Sequence, residues 1–108
     1  MKFSCEKALL SAAVSVASRA VAAKSSIPAM EGILIEAGSQ LRLTGYNLET
    51  GIQATVPAEI TQRGSLVLSA RLFGEIVRKM ADDVVVFSAE GYMVNIKCGL
   101  SEFNILGS

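Results

Sequence analysis

Ser65-Leu66-Val67-Leu68-Ser69-Ala70-Arg71-Leu72-Phe73-Gly74-Glu75-Ile76-Val77-Arg78-Lys79-Met80-Ala81 changes period in its middle, and that change decides the fold. Residues 65–68 read as a short strand. Ser69 is placed to cap a helix, because its hydroxyl can accept a hydrogen bond from a free backbone N–H of the first turn. From Ala70 to about Ala81 the apolar residues fall at helical spacing: Leu72, Phe73, Ile76, Val77 and Met80 form one stripe. Arg71, Gly74 and Arg78 share the opposite face, with Glu75 and Lys79 flanking it. Three strand-like runs follow, Val84 to Ser88, Tyr92 to Cys98 and Ser101 to Leu106, separated by turns at Glu90-Gly91 and Gly99.

Upstream the same order of elements is found. Lys2 to Glu6 alternates, with Phe3 and Cys5 on one side, as a half-buried strand should. The helix after it has Leu10, Ala13, Val14, Ala17 and Val21 on one face and Lys7, Ser11, Ser15, Ser18 and Arg19 opposite. It ends before Ser25-Ser26-Ile27-Pro28, since proline disfavours helical geometry in the residue before it. Gly32 to Ala37, a tight turn at Gly38-Ser39, and Gln40 to Thr44 read as an antiparallel pair. A third strand runs from about Gly51 to Ile60, with Pro57 pointing to an edge or a bulge. The chain therefore reads as one α+β domain over residues 1–108 built from a pseudo-two-fold repeat of βαβββ, with two helices packed on antiparallel sheets. The Gly107-Ser108 stop directly after the last strand reads as a domain boundary as much as a natural end.

Composition bounds the function. With 108 residues, 51% hydrophobic and 19% charged, the chain has the apolar content for a real core without staples. Cys5 and Cys98 are far apart, have no Cys-x-x-Cys partner and no histidine beside them, and read as reduced, buried small hydrophobes rather than metal ligands. The first thirty residues lack a signal-peptide layout and no run approaches a membrane span, so the expectation is a soluble, cytoplasmic protein without membrane contact. With no histidine, a serine or cysteine nucleophile would need lysine or a carboxylate as its base, and nothing is spaced to supply one. Asp82-Asp83 reads as a solvated turn, and Gly45 to Gly51 matches no phosphate loop. The expectation is no catalytic residue, no metal site and no cofactor.

Charge carries the positive signal. Ten basic and ten acidic residues cancel overall, so any attraction to phosphate must be local. Between Lys7 and Met30 stand Lys7, Arg19 and Lys24 with no acidic residue, and on the second helix Arg71 and Arg78 lie seven apart with Lys79 bordering them. If both helices lie side by side on one layer, these groups merge into a surface suited to phosphates, because it lacks an aromatic or amide cluster for reading base edges. The bland alternative is that each is a solvated helix face.

Met1-Lys2-Phe3 opening a strand, Ile27-Pro28 followed by Gly32-Ile33-Leu34-Ile35-Glu36, Leu43-Thr44-Gly45-Tyr46-Asn47-Leu48-Glu49, and the run from Ser69 to Met80 resemble the first domain of the bacterial sliding clamp, the beta subunit of DNA polymerase III. The resemblance spans essentially the whole chain. Departures lie at Asn47, where the family has aspartate, at Ala29 and Met30 after the proline, and at Ser69, which replaces a proline.

The resemblance implies the DNA-clamp fold, and a non-catalytic processivity factor in which three such domains per chain and two chains head to tail form a ring around duplex DNA. Helices would line the hole and sheets the outer wall. It implies sequence-independent contact with double-stranded DNA, with Lys24 at a DNA-touching position and Arg71 and Arg78 at positive ones; Lys79, Lys7 and Arg19 complete the expected DNA face. It implies a homodimer in the full-length protein, with the replicative polymerase and clamp loader bound through other domains. Its subunit seam would use the last strand and the second helix: Leu72, Glu102, Phe103 and Ile105. The alternative from a different class is a non-catalytic interaction module that pairs through its edge strand.

Overall fold

Each first strand in this chain is given away to the other half. The computed structural model, which describes residues 1–22 and 31–108, has β1 (Lys2–Glu6), α1 (Lys7–Ser18), β2 (Gly32–Ala37), β3 (Leu41–Tyr46) and β4 (Gly51–Val56). After β5 (Glu59–Gln62) come β6 (Gly64–Ser69), α2 (Ala70–Lys79), β7 (Val84–Glu90), β8 (Met93–Cys98) and β9 (Ser101–Leu106). The meander β2-β3-β4 takes β6 as its fourth strand, while the meander β7-β8-β9 takes β1, giving sheets ordered β4-β3-β2-β6 and β5-β1-β7-β8-β9. All pairings are antiparallel. The two-fold repeat is thus closed by strand exchange, which ties the halves into one core.

One expected strand is two. The run from Gly51 to Ile60 breaks after Val56: β4 pairs with β3 in one sheet, and β5 crosses to pair with β1 in the other. Pro57 stands in the break, where its missing N–H and fixed φ end the ladder and free the chain to change sheets. β5 lies on the free side of β1, the side away from β7. The helix expected to continue past Arg19 ends at Ser18, with turn hydrogen bonds carrying the chain to Val21.

The inward sheet faces follow the period-two pattern. Ile33, Ile35, Leu41, Leu43, Leu66 and Leu68 from one sheet meet Phe3, Val85, Phe87, Val94 and Ile96 from the other, all essentially buried. Leu10, Ala13, Val14 and Ala17 of α1 and Phe73 and Val77 of α2 close the core. Phe87 is stacked on Phe3 at 4.6 Å between ring centroids and takes the edge of Phe73 at 6.4 Å. Cys5 and Cys98 are free and buried, and burial pushes the Cys5 thiol up to about 11, so both behave as small apolar fillers.

The chain also stitches its two sheets at the far end. Past β9, Ser108 exchanges two backbone hydrogen bonds with Val67 on the free side of β6, at 2.7 and 2.9 Å. This pairing leaves β9 as an open edge of its own sheet and covers part of the β6 edge.

Candidate nucleic-acid interface

α1 and α2 pack side by side and antiparallel: the N–H of Lys7, which opens α1, donates to the carbonyl of Asp83 just beyond α2, at 3.0 Å. Between them runs an open cleft of about 880 Å³. Ser11, Ser15 and Ser18 line its α1 side and Arg71, Gly74 and Arg78 its α2 side. Leu106, Gly107 and Ser108 reach into it, so the cleft adjoins the end of the β9 edge.

The sequence explains why this face is shaped so. Three serines at spacings of four and three put small hydroxyl side chains along one side of α1. On α2, Ser69 caps the helix by accepting from the Leu72 N–H at 3.3 Å, and Phe73 and Val77 anchor the opposite side in the core. Arg71 and Arg78, seven residues apart, are thereby aimed at the cleft.

The expected DNA-facing residues fall into three groups. Arg71 and Arg78 share the cleft, and both are exposed. Lys79 and Arg19 are exposed but do not line it; Arg19 sits at the end of α1 as its C-cap. Lys7 is half-buried at the opposite end of α1, where its backbone N–H meets the Asp83 carbonyl and its charge, like that of Asp83, acts on the Cys98 thiol. Lys24 lies outside the described residues. The outward face of α1 is not the polar one expected: Ala8, Leu9, Ala12, Ser15 and Arg19 are exposed, while Lys7, Ser11 and Ser18 are half-buried. Alanine and serine are both small enough to sit on either side of a helix, so the choice is made by the approach of α2 and not by polarity.

The electrostatics are mild. Arg71 contacts Glu75 one turn on, at 3.3 Å, with the arginine side chain 72% exposed. Such an exposed pair contributes on the order of 0–1 kcal/mol and yields readily to a competing phosphate. Arg78 has no carboxylate partner among the described residues. Both Arg78 and Lys79 stand in the last turn of α2, where they also complement the negative end of the helix dipole. Glu31 on the cleft wall offsets part of the positive charge. Among the described residues, no group of three or more metal-ligating side chains is assembled, and no helix is long and apolar enough to cross a membrane.

The second expected surface is β9. Phe103 and Ile105 turn inward and pack half-buried against the core, while Glu102, Asn104 and Leu106 face out. Glu102 is held on its own sheet by Lys97 at 3.6 Å and by the Asn95 side-chain amide at 2.7 Å. Leu72, which the helical wheel assigns to the core stripe, is 37% exposed. Its place in the first turn of α2 lifts it off the sheet that Phe73 enters. The wheel also turns Gly74 outward, whereas it is buried in the cleft floor. The usable signal is a glycine inside a helix four residues before an arginine.

Comparison with known proteins agrees with this architecture. The family described as "DNA polymerase III beta subunit, N-terminal domain" matches residues 1–107. A beta sliding clamp of Streptomyces coelicolor is 32% identical over 106 residues, covering 97% of this chain and 28% of that protein. One of Bacillus subtilis is 34% identical over 117 residues, covering 99% of this chain and 31% of the relative. The solved structure of the DNA polymerase sliding clamp from Bacillus subtilis superposes with a TM-score of 0.95 at 32% identity, over 100% of this chain and 31% of that one. The chain thus spans somewhat under a third of the length of these relatives.

Proposed function

The chain belongs to the DNA polymerase III beta subunit family, as its N-terminal domain, and from that premise we propose that it is one segment of a ring that encircles duplex DNA and tethers a replicative polymerase. It catalyses nothing. The observation that carries this reading is the antiparallel helix pair with Arg71 and Arg78 in the cleft between the helices.

The chemistry suits sliding and not gripping. Two guanidinium groups and a row of hydroxyls can meet phosphate oxygens, and the described residues that line the cleft with them include no amide or aromatic side chain to read base edges. Each phosphate neutralised gives a salt slope of only about −0.9, so a few such pairings hold DNA weakly and without sequence preference. Retention is then topological. Lys79 and Arg19 extend the basic surface along the helices, Lys24 is assigned to it by sequence alone, and Lys7 has the weakest claim because it is half-buried beside Asp83.

The open β9 edge is the joint with the neighbouring chain in a head-to-tail homodimer. Its unpaired backbone groups are a template for a strand of the partner. Leu106 on the strand and Leu72 on α2 supply exposed apolar surface, Glu102 a charge, and Phe103 and Ile105 a rigid inner backing. The polymerase and the clamp loader engage parts of the protein beyond this domain.

The test is retention of the protein's longest natural form on nicked circular DNA before and after a single cut. Release on cutting is the expected result. Equal retention or equal loss on both forms overturns the ring and favours a module that pairs through its edge strand.

A further inference from the structure

We infer that Gly74 is a positioning residue for DNA binding: by lacking a side chain it seats the Arg78 guanidinium in the floor of the α1–α2 cleft. The inference rests on the DNA-facing reading of that cleft.

Glycine inside a ten-residue helix is unfavourable, so its presence at 74 calls for a reason. Close helix packing is the ordinary one, and it does not apply. A Cβ at position 74 would meet Arg78 Nη1 at 3.2 Å and Arg78 Cζ at 4.0 Å, and no atom of α1 within 4 Å. The backbone conformation gives no reason either, because Gly74 is not among the glycines with positive φ. What occupies the missing side chain's place is the guanidinium one turn further on.

The consequence is geometric. An arginine on a helix surface samples many rotamers and loses that freedom when it binds a phosphate. With its guanidinium over Gly74, Arg78 lies back along α2, on the side of Arg71 seven residues earlier, in the cleft that the α1 serines also line. Two planar forks are then presented to one phosphate strand from a common groove, the arrangement in which arginine outperforms lysine. A methyl at 74 would shift the guanidinium by a few tenths of an ångström, and a larger side chain would occupy the place where it lies.

The experiment measures binding of a fluorescent duplex oligonucleotide at low salt, with its salt slope, for the longest natural form of the protein carrying Arg78→Gln, Gly74→Ala, Gly74→Leu, or Gly74→Leu with Arg78→Gln. Arg78→Gln should weaken binding roughly threefold to tenfold and reduce the slope by about 0.9 for each phosphate that is no longer neutralised. Gly74→Leu should reproduce most of that loss, Gly74→Ala a smaller part, and Gly74→Leu should add nothing once Arg78 is glutamine. Thermal melting should show both single glycine variants folded, since alanine and leucine are better helix formers. If Gly74→Leu binds like the parent while Arg78→Gln is weakened, the positioning role fails and the DNA face stands. A Gly74→Leu loss that persists in the Arg78→Gln background also overturns it. If Arg78→Gln itself changes nothing, the DNA-facing reading of the cleft falls.

Discussion

α1 and α2 stand in equivalent places in the two rounds of the fold, yet they are held down by different means. α1 is docked by backbone: at Gly45 of β3, the Ala17 carbonyl comes so close that an added Cβ would collide with its oxygen and lie 2.9 Å from its carbon. α2 is docked by a side chain, Phe73, which is fully buried against the edge of Phe87. The ends differ accordingly. Glu6 at the start of α1 makes no side-chain capping bond, whereas Ser69 caps α2. A helix pressed onto a sheet can tolerate a bare end and present alanines outward. One held by side chains alone, Phe73 foremost with Val77 behind it, needs its cap, and its free face is available for charge.

Removing the aromatic tests the second half of that contrast most severely. Phe73→Ala should cost about 3–5 kcal/mol by urea unfolding, because it empties a fully buried site in the core. A loss below about 1 kcal/mol would mean that α2 is held by something else.

Two glycines test the first half. Gly45→Ala should destabilise by about 3 kcal/mol, because the atoms in the way are backbone and α1 must lift from the sheet. Gly74→Ala should instead leave stability unchanged or raise it by about 0.5–1 kcal/mol, because only the far end of Arg78 must move. Equal losses at the two positions would erase the distinction between a backbone-docked and a side-chain-docked helix.

The caps sharpen it further. Ser69→Ala should lower stability by about 1 kcal/mol, and Glu6→Ala by a few tenths at most. Comparable effects of the two substitutions in thermal or urea unfolding would show that α1 depends on its first turn as α2 does.

These differences bear on what can be read without coordinates. Strands with one buried face announce themselves, and β2 and β9 run from Gly32 to Ala37 and from Ser101 to Leu106 as their alternation and flanking turns require. The cap at Ser69 is legible because its chemistry is local. The strand exchange that puts β1 beside β7 is not, since nothing near Phe3 encodes a partner more than eighty residues away. Nor is the break at Pro57, where a proline signals interruption but not a change of sheet. On the helices the wheel separates apolar from polar and is silent on small residues. It therefore turns Ser11 and Ser18 outward and leaves Gly74 unexplained, while it finds Arg71 and Arg78, which are unambiguous. Hydrophobicity alone assigns Leu72 to the core, and its exposure reflects its place at the helix start, which no periodicity records.

The smallest expected effect isolates the free face of α2 from its anchored one. Glu75 is half-buried, and its ion-pair partner among the described residues is Arg71, at 3.3 Å across one helical turn. Glu75→Gln keeps the shape and removes the charge, so stability should change by no more than about 0.5 kcal/mol. DNA binding should move in the opposite sense to the arginine variants: with its internal counterion gone, Arg71 becomes available to phosphate, and duplex affinity at low salt should rise roughly twofold. The gain should vanish as salt is raised, because the pair it releases is itself screened. A stability loss above about 1 kcal/mol would place Glu75 among the anchors of α2. An unchanged or weakened affinity would mean that Arg71 is held by the pair in the geometry DNA needs, and the carboxylate would then belong to the binding face and not oppose it.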